Sequence, residues 1–184
     1  MHFLKILWGI RGLIYKPFFR HFGMPSYIGR PCFLSGCRNI SIGKKTRIFP
    51  QIRLEAIGKG SISIGNNCAI EQNVHITSKD SDLVIGDNVT INAYTFISNI
   101  DHEYRDISRS VMEQKLLTKE TLIEDGCFIG FGVSIQAGTH LGKHCVVGTG
   151  AVVRGIYPDY SVIVGVPGKV IKRFNIEKRK WEKI

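Results

Sequence analysis

Six histidines are the residues of this chain best suited to carry a proton near neutral pH, because an unperturbed imidazole titrates there. His102 stands apart from the others by position. It closes one run of a six-residue rhythm and opens the longest interruption of it, residues 103–122. A base at the root of a protruding loop can reach a substrate while its backbone stays anchored. Asp101 and Glu103 flank it, and either carboxylate could orient the ring. His75 reads as a solvated corner residue and His140 as a surface residue. Cys32, Cys37, Cys68, Cys127 and Cys145 match no zinc-binding spacing and follow no cleavable leader, so they read as free thiols in a reducing compartment.

The rhythm that positions these groups starts at Ile42. It reads IGKKTR, IFPQIR, LEAIGK, then from Ile64 IGNNCA, IEQNVH, ITSKDS, and from Ile85 IGDNVT, INAYTF, ISNIDH. It resumes at Ile123 with IEDGCF, IGFGVS, IQAGTH and continues through LGKHCV, VGTGAV and VRGIYP. All fifteen first positions are Ile, Leu or Val, although only 49 of the 184 residues are of those types. Hexads in threes predict a coil of about 18 residues with three flat faces, each coil stacked about 4.8 Å from the next. The first residue of each hexad then points inward. Gly and Asn at the second positions suit tight corners. Fifth positions on the first face are Thr46, Cys68, Val89, Cys127 and Cys145, so three cysteines are expected to fill a narrow core.

Every interruption leaves from one corner. The step from a third-face residue to the next first-face residue is 8 (Leu34 to Ile42), 10 (Leu54 to Ile64), 9 (Ile76 to Ile85), 26 (Ile97 to Ile123) and 6 (Ile135 to Leu141). Ile28 and Leu34 extend the array towards the N-terminus. Residues 1–25 read as a short basic amphipathic helix broken near Pro17, residues 26–168 as the repeat body, and 169–184 as a basic helical tail. The N-terminal segment has two readings, a cap over the open first coil and a contact with an anionic membrane surface through residues 1–22.

Composition removes several classes. With 43% hydrophobic and 22% charged residues the chain is globular rather than disordered, and its length fits one domain. The longest stretch free of formal charge, Gly126 to Gly142, is too short to cross a bilayer as a helix. The net charge of +10 splits into +5 from residues 1–30, +5 from residues 169–184 and zero between. A neutral body without a basic stripe argues against nucleic acid as a partner.

The hexads, the DHEY that opens the loop and the closing GVPGKVIKRF resemble the hexapeptide-repeat acyltransferases, most closely the maltose, galactoside, lipopolysaccharide and capsule sugar O-acetyltransferases. The resemblance covers residues 28–173. It implies an all-β fold, a left-handed parallel β-helix with a short N-terminal helix and a helical C-terminal tail. It implies a homotrimer with its site between neighbouring copies, and the free cysteines and basic N-terminal segment add the expectation of a cytoplasmic protein, free or peripheral at the inner membrane face. It further implies acetyl transfer from acetyl-CoA to a sugar hydroxyl of a surface polysaccharide or lipopolysaccharide precursor, with no metal.

By the same resemblance His102 is the general base and Asn73 binds the acceptor. Phe131, Gly132, Thr149 and Gly150 match positions along the pantetheine arm, and Arg154, Lys169 and Lys172 match positions that meet the nucleotide phosphates. The pattern departs at Gly155, where relatives carry a Lys. Three other readings have less behind them: acetyl transfer to a small free sugar, nucleotide sugar or drug; a silent β-solenoid scaffold; and a zinc enzyme resembling γ-class carbonic anhydrase. The last needs His75, His102 and His140 to converge, and their spacing does not reproduce that motif.

Overall fold

The computed structural model describes residues 2–184, leaving Met1 of the N-terminal segment outside the described residues. Its body is a three-sided parallel β-solenoid. The first face runs from His21–Phe22 through Ile40–Ile42, Ser61–Ile64, Asp82–Ile85, Thr121–Ile123 and His140–Leu141 to Ile156–Tyr157. The second begins at Tyr27–Ile28, and the third carries Phe33–Ser35, Arg53–Ile57, His75–Lys79, Phe96–Ser98, Ser134–Ile135 and Val152–Val153.

Register follows the hexads. On the first face Phe22, Ile42, Ile64, Ile85, Ile123, Leu141 and Tyr157 stand one above another. Ile28, Ile48, Ile70, Ile91, Ile129, Val147 and Ile163 do so on the second, and Leu34, Leu54, Ile76, Ile97, Ile135 and Val153 on the third. All fifteen first positions of the hexads are buried, as are Thr46, Cys68, Val89, Cys127 and Cys145. Slipping one strand by one residue would turn this apolar ladder outward, so burial pins the register. The five cysteines are free thiols. No helix among the described residues is long and apolar enough to cross a membrane.

The two ends are closed differently. The helix His2–Tyr15 and the short 3-10 turn Lys16–Phe18 lie at the first coil, with Trp8 packed against Tyr27 and Phe49 at ring-centroid distances of 5.7 and 5.6 Å. At the other end the expected helical tail is instead two strands. Lys169–Asn175 pairs antiparallel with Ser161–Val164 of the last coil, and Lys180–Lys183 pairs with it in turn. The last coil exposes an unpaired strand edge, and Val170, Phe174 and Trp181 have the β-branched or aromatic character that an added strand favours. Phe174 then stacks edge-on with Trp181 at 5.4 Å. The basic composition of residues 169–184 reads as a helical tail, but the open edge of the last coil takes them up as strands.

Candidate active site

All the insertions leave the corner between the third and first faces, and the residues that root the largest of them, Ser98 and Asn99, are buried. Asn99 has no exposed surface and donates through Nδ2 to Ser78 Oγ at 2.9 Å and to Ser81 O at 3.0 Å. Its Oδ1 accepts from the Lys79 N–H at 2.8 Å, and its carbonyl from the Lys119 N–H at 2.9 Å. One amide thus ties the start of the large excursion both to its own return and to the insertion one coil earlier. Leaving that amide unpaired in the interior would cost about 1–3 kcal/mol, so the root is strongly specified.

From this root the chain runs out as a hairpin. Ile100–His102 pairs antiparallel with Leu116–Thr118, with His102 opposite Leu116. The His102 side chain is exposed, while its backbone is fixed at both ends: its N–H donates to Asp101 Oδ1 at 2.9 Å, and the Glu103 N–H donates to Lys115 O at 3.1 Å. Asp101 is itself held by Arg154, whose Nη2 donates to Oδ2 from two coils further on. This guanidinium, assisted by the His102 N–H, keeps the Asp101 carboxyl below the usual carboxylate range. Phe96, Ile100, Asp101, Gln136, Ala137 and Arg154 line a cleft of about 210 Å³ beside the hairpin.

Neither flanking carboxylate hydrogen-bonds the imidazole. Asp101 serves the backbone and Arg154, whereas Glu103 Oε1 accepts from the Tyr104 and Arg105 N–H groups and from Arg105 Nε, at 3.0, 3.2 and 3.0 Å. These bonds lower the Glu103 pKa and fold the loop's first turn. Arg154, expected among the phosphate ligands, lies at the hairpin root, where it pairs with Asp101. Its charge is committed to Asp101.

A second group of expected residues gathers on a different edge. Asn73, Gly132 and Gly150 occupy equivalent places on the corner between the second and third faces, all with positive φ (57, 65 and 70°). Phe131 is exposed and its ring lies 5.3 Å from that of Tyr94, and Thr149 is exposed beside it. A Cβ added at Gly132 or Gly150 would meet nothing within 4 Å, so only the positive φ favours glycine there, and the backbone lies open to a ligand. Lys169 and Lys172 are exposed on the added strand at the last coil. No hydrogen bond joins Asn73 to His102 among the described residues, and a third-face strand of about five residues, some 16 Å, separates their two corners.

His75 and His140 are engaged elsewhere. His75 is half-buried on the third face rather than solvated at a corner, with Nε2 2.7 Å from Thr77 Oγ1 and its ring edge-on to Phe96. Burial, and then the Arg53 charge, push its pKa down. His140 lies on the first face with Nε2 2.7 Å from Glu124 Oε1. His75, His102 and His140 therefore do not converge, and the described residues hold no cluster of three metal-ligating side chains.

A stacked hexapeptide prism with a histidine at the root of its large hairpin and an open glycine edge matches what the resemblance to the hexapeptide-repeat acyltransferases implies, and the left hand of the coil rests on that likeness. Residues 120–155 match the family model described as bacterial transferase hexapeptide (six repeats). The chain is 33% identical over 160 residues to WbbJ of Escherichia coli (strain K12), a candidate lipopolysaccharide biosynthesis O-acetyl transferase, covering 83% of this chain and 81% of that protein. It is 27% identical over 146 residues to the galactoside O-acetyltransferase of Lactococcus lactis subsp. lactis (strain IL1403), covering 68% and 70% of the two chains. The crystal structure of AntD, an N-acyltransferase from Bacillus cereus in complex with dTDP and 3-hydroxybutyryl-CoA, superposes with a TM-score of 0.79 at 18% identity, over 91% of this chain and 90% of that one. That likeness carries the fold. The chain belongs to the bacterial transferase hexapeptide family.

Proposed function

We propose that this transferase moves an acetyl group from acetyl-CoA to a sugar hydroxyl of a surface polysaccharide or lipopolysaccharide precursor, with His102 as general base. The observation that carries the reading is the exposed His102 imidazole on a hairpin whose backbone is clamped by Asp101 and, through it, by Arg154. A hydroxyl is a weak nucleophile near neutrality. An imidazole within hydrogen-bond reach removes its proton as the oxygen attacks the thioester carbonyl, and returns that proton to the departing CoA sulfur. Rigid backbone anchoring holds the ring where that transfer needs it.

The open edge formed by Phe131, Gly132, Thr149 and Gly150 suits the pantetheine arm, because glycine at positive φ with nothing beside it leaves peptide groups accessible. Lys169 and Lys172 offer charge to the nucleotide phosphates from the added strand. Asn73 lies on the same edge and is assigned to the acceptor. This edge and the His102 hairpin stand on opposite corners of the third face, which favours a site completed by a neighbouring copy, in a homotrimer. WbbJ and the galactoside enzyme support a sugar hydroxyl as acceptor, and the AntD complex supports a CoA thioester as donor.

The test is thiol release from acetyl-CoA across a panel of sugar acceptors, with wild type and His102→Ala compared at matched thermal stability. Acceptor-dependent release by wild type alone supports the assignment. Release that survives in the variant places the base elsewhere.

A further inference from the structure

The N-terminal helix presents its apolar face the wrong way for a cap. Its docked side consists of Trp8 against Tyr27 and Phe49, Gly12 against the Phe22 ring, and Arg11, whose Nη1 donates to Ile28 O at 3.3 Å. A surface helix docked in this way normally turns polar residues to water. Here the opposite stripe is aliphatic: Ile6, Ile10, Leu13 and Ile14 are 61, 48, 55 and 60% exposed, and Leu7 joins them. Phe18, just past the helix, extends the patch at 61% exposure. These residues fall at the offsets i, i+4, i+7 and i+8 that place side chains on one helical face.

We infer that this face docks on an anionic lipid surface, with the helix lying in the plane of the interface. Charge decides between lipid and a second copy of the chain. Residues 1–30 carry Lys5, Arg11, Lys16, Arg20 and Arg30 and no acid, so two such ends brought together would oppose +5 to +5. An anionic headgroup layer complements the same charges, at about 1 kcal/mol for each base near the surface. Fourteen residues make a helix of about 21 Å, short of the roughly 30 Å hydrocarbon core, so the segment lies on the bilayer rather than crossing it. Lys16 and Arg20, both exposed, flank Phe18 just past the helix, where long cationic side chains can reach headgroups while their stems stay apolar.

The experiment is flotation of the full chain with vesicles of phosphatidylcholine alone and of phosphatidylcholine mixed with phosphatidylglycerol, without acetyl-CoA or acceptor. Its outcome is therefore independent of the acetyl-transfer reading. Wild type is expected to float with the anionic vesicles and to be released by high salt. The variant I10D/L13D alters only solvent-facing positions and should keep the wild-type circular dichroism, while its partition falls on the order of a hundredfold. Equal binding to neutral vesicles, no binding by wild type at low salt, or unchanged binding by the variant overturns the proposal. So does a larger oligomer of wild type in lipid-free solution that the double substitution dissolves, since the face would then belong to a protein contact.

Discussion

The two corners that bound the third face are ordered by different means. At the glycine corner the conformation is local: Asn73, Gly132 and Gly150 each adopt positive φ inside their own hexad, and the stack merely repeats them. At the hairpin corner almost nothing is local. Asn99 holds Ser78, Ser81, Lys79 and Lys119, and Asp101 is clamped by a guanidinium 53 positions away. A repeating scaffold supplies a smooth edge cheaply, but it cannot aim a single reactive side chain. That takes side-chain bonds that reach the protruding segment itself, and Asn99 and Arg154 supply them at the hairpin root.

Substitutions at the two corners should therefore differ in kind. The largest expected effect is His102→Ala, a fall of about 10²–10⁴-fold in acetyl transfer with an unchanged melting curve, measured by thiol release against unfolding temperature. Loss of stability along with activity would make the residue structural and erase the contrast. Next, Gly43→Ala inside the stack places a Cβ 2.5 Å from Gly65 carbonyl atoms and should destabilise by about 1–3 kcal/mol in denaturant titrations. Gly150→Ala meets no atom, costs only about 1–2 kcal/mol of left-handed strain, and should mainly raise the KM for acetyl-CoA.

Arg154→Gln separates positioning from binding. We expect a drop on the order of tenfold in kcat with little change in the KM for acetyl-CoA, because the guanidinium holds Asp101. A rise in that KM alone would return Arg154 to the phosphates. The smallest effect is on acid stability. Asp101 has its pKa lowered in the folded chain, so the clamp contributes fully above the ordinary carboxylate range and is lost as pH falls through the folded value. In R154Q that loss should begin at higher pH, read from hydrogen exchange of the hairpin amides. Because the pair is partly exposed, the global stability change should stay within about 1 kcal/mol.

Much of this was legible in the residues themselves. Fifteen inward positions, the stacked Cys68, Cys127 and Cys145, and the single corner from which insertions leave all followed from spacing. The His102 root was legible because an excursion of that length marks itself. Asn99 was missed although it stands three residues before His102, since a loop asparagine gives no sign that its amide will be buried. The pairing of Arg154 with Asp101 was not legible for a related reason. Its partner, Asp101, is the fifth residue of the hexad ISNIDH, and nothing in the repeat predicts that the chain leaves the stack there as a hairpin leaning back over its neighbours.

Periodicity of period six is a one-dimensional property, and stacking identical coils converts it directly into register and core; those were settled before any coordinate was known. The identity of the residue that clamps Asp101, the burial of His75, the strand pairing of residues 169–175 and the outward aliphatic stripe of the first helix were decided only in three dimensions. Each depends on which edge, charge or surface the folded prism leaves unsatisfied. An unpaired edge recruits a strand and a carboxylate recruits a guanidinium, but neither vacancy exists until the coils have closed.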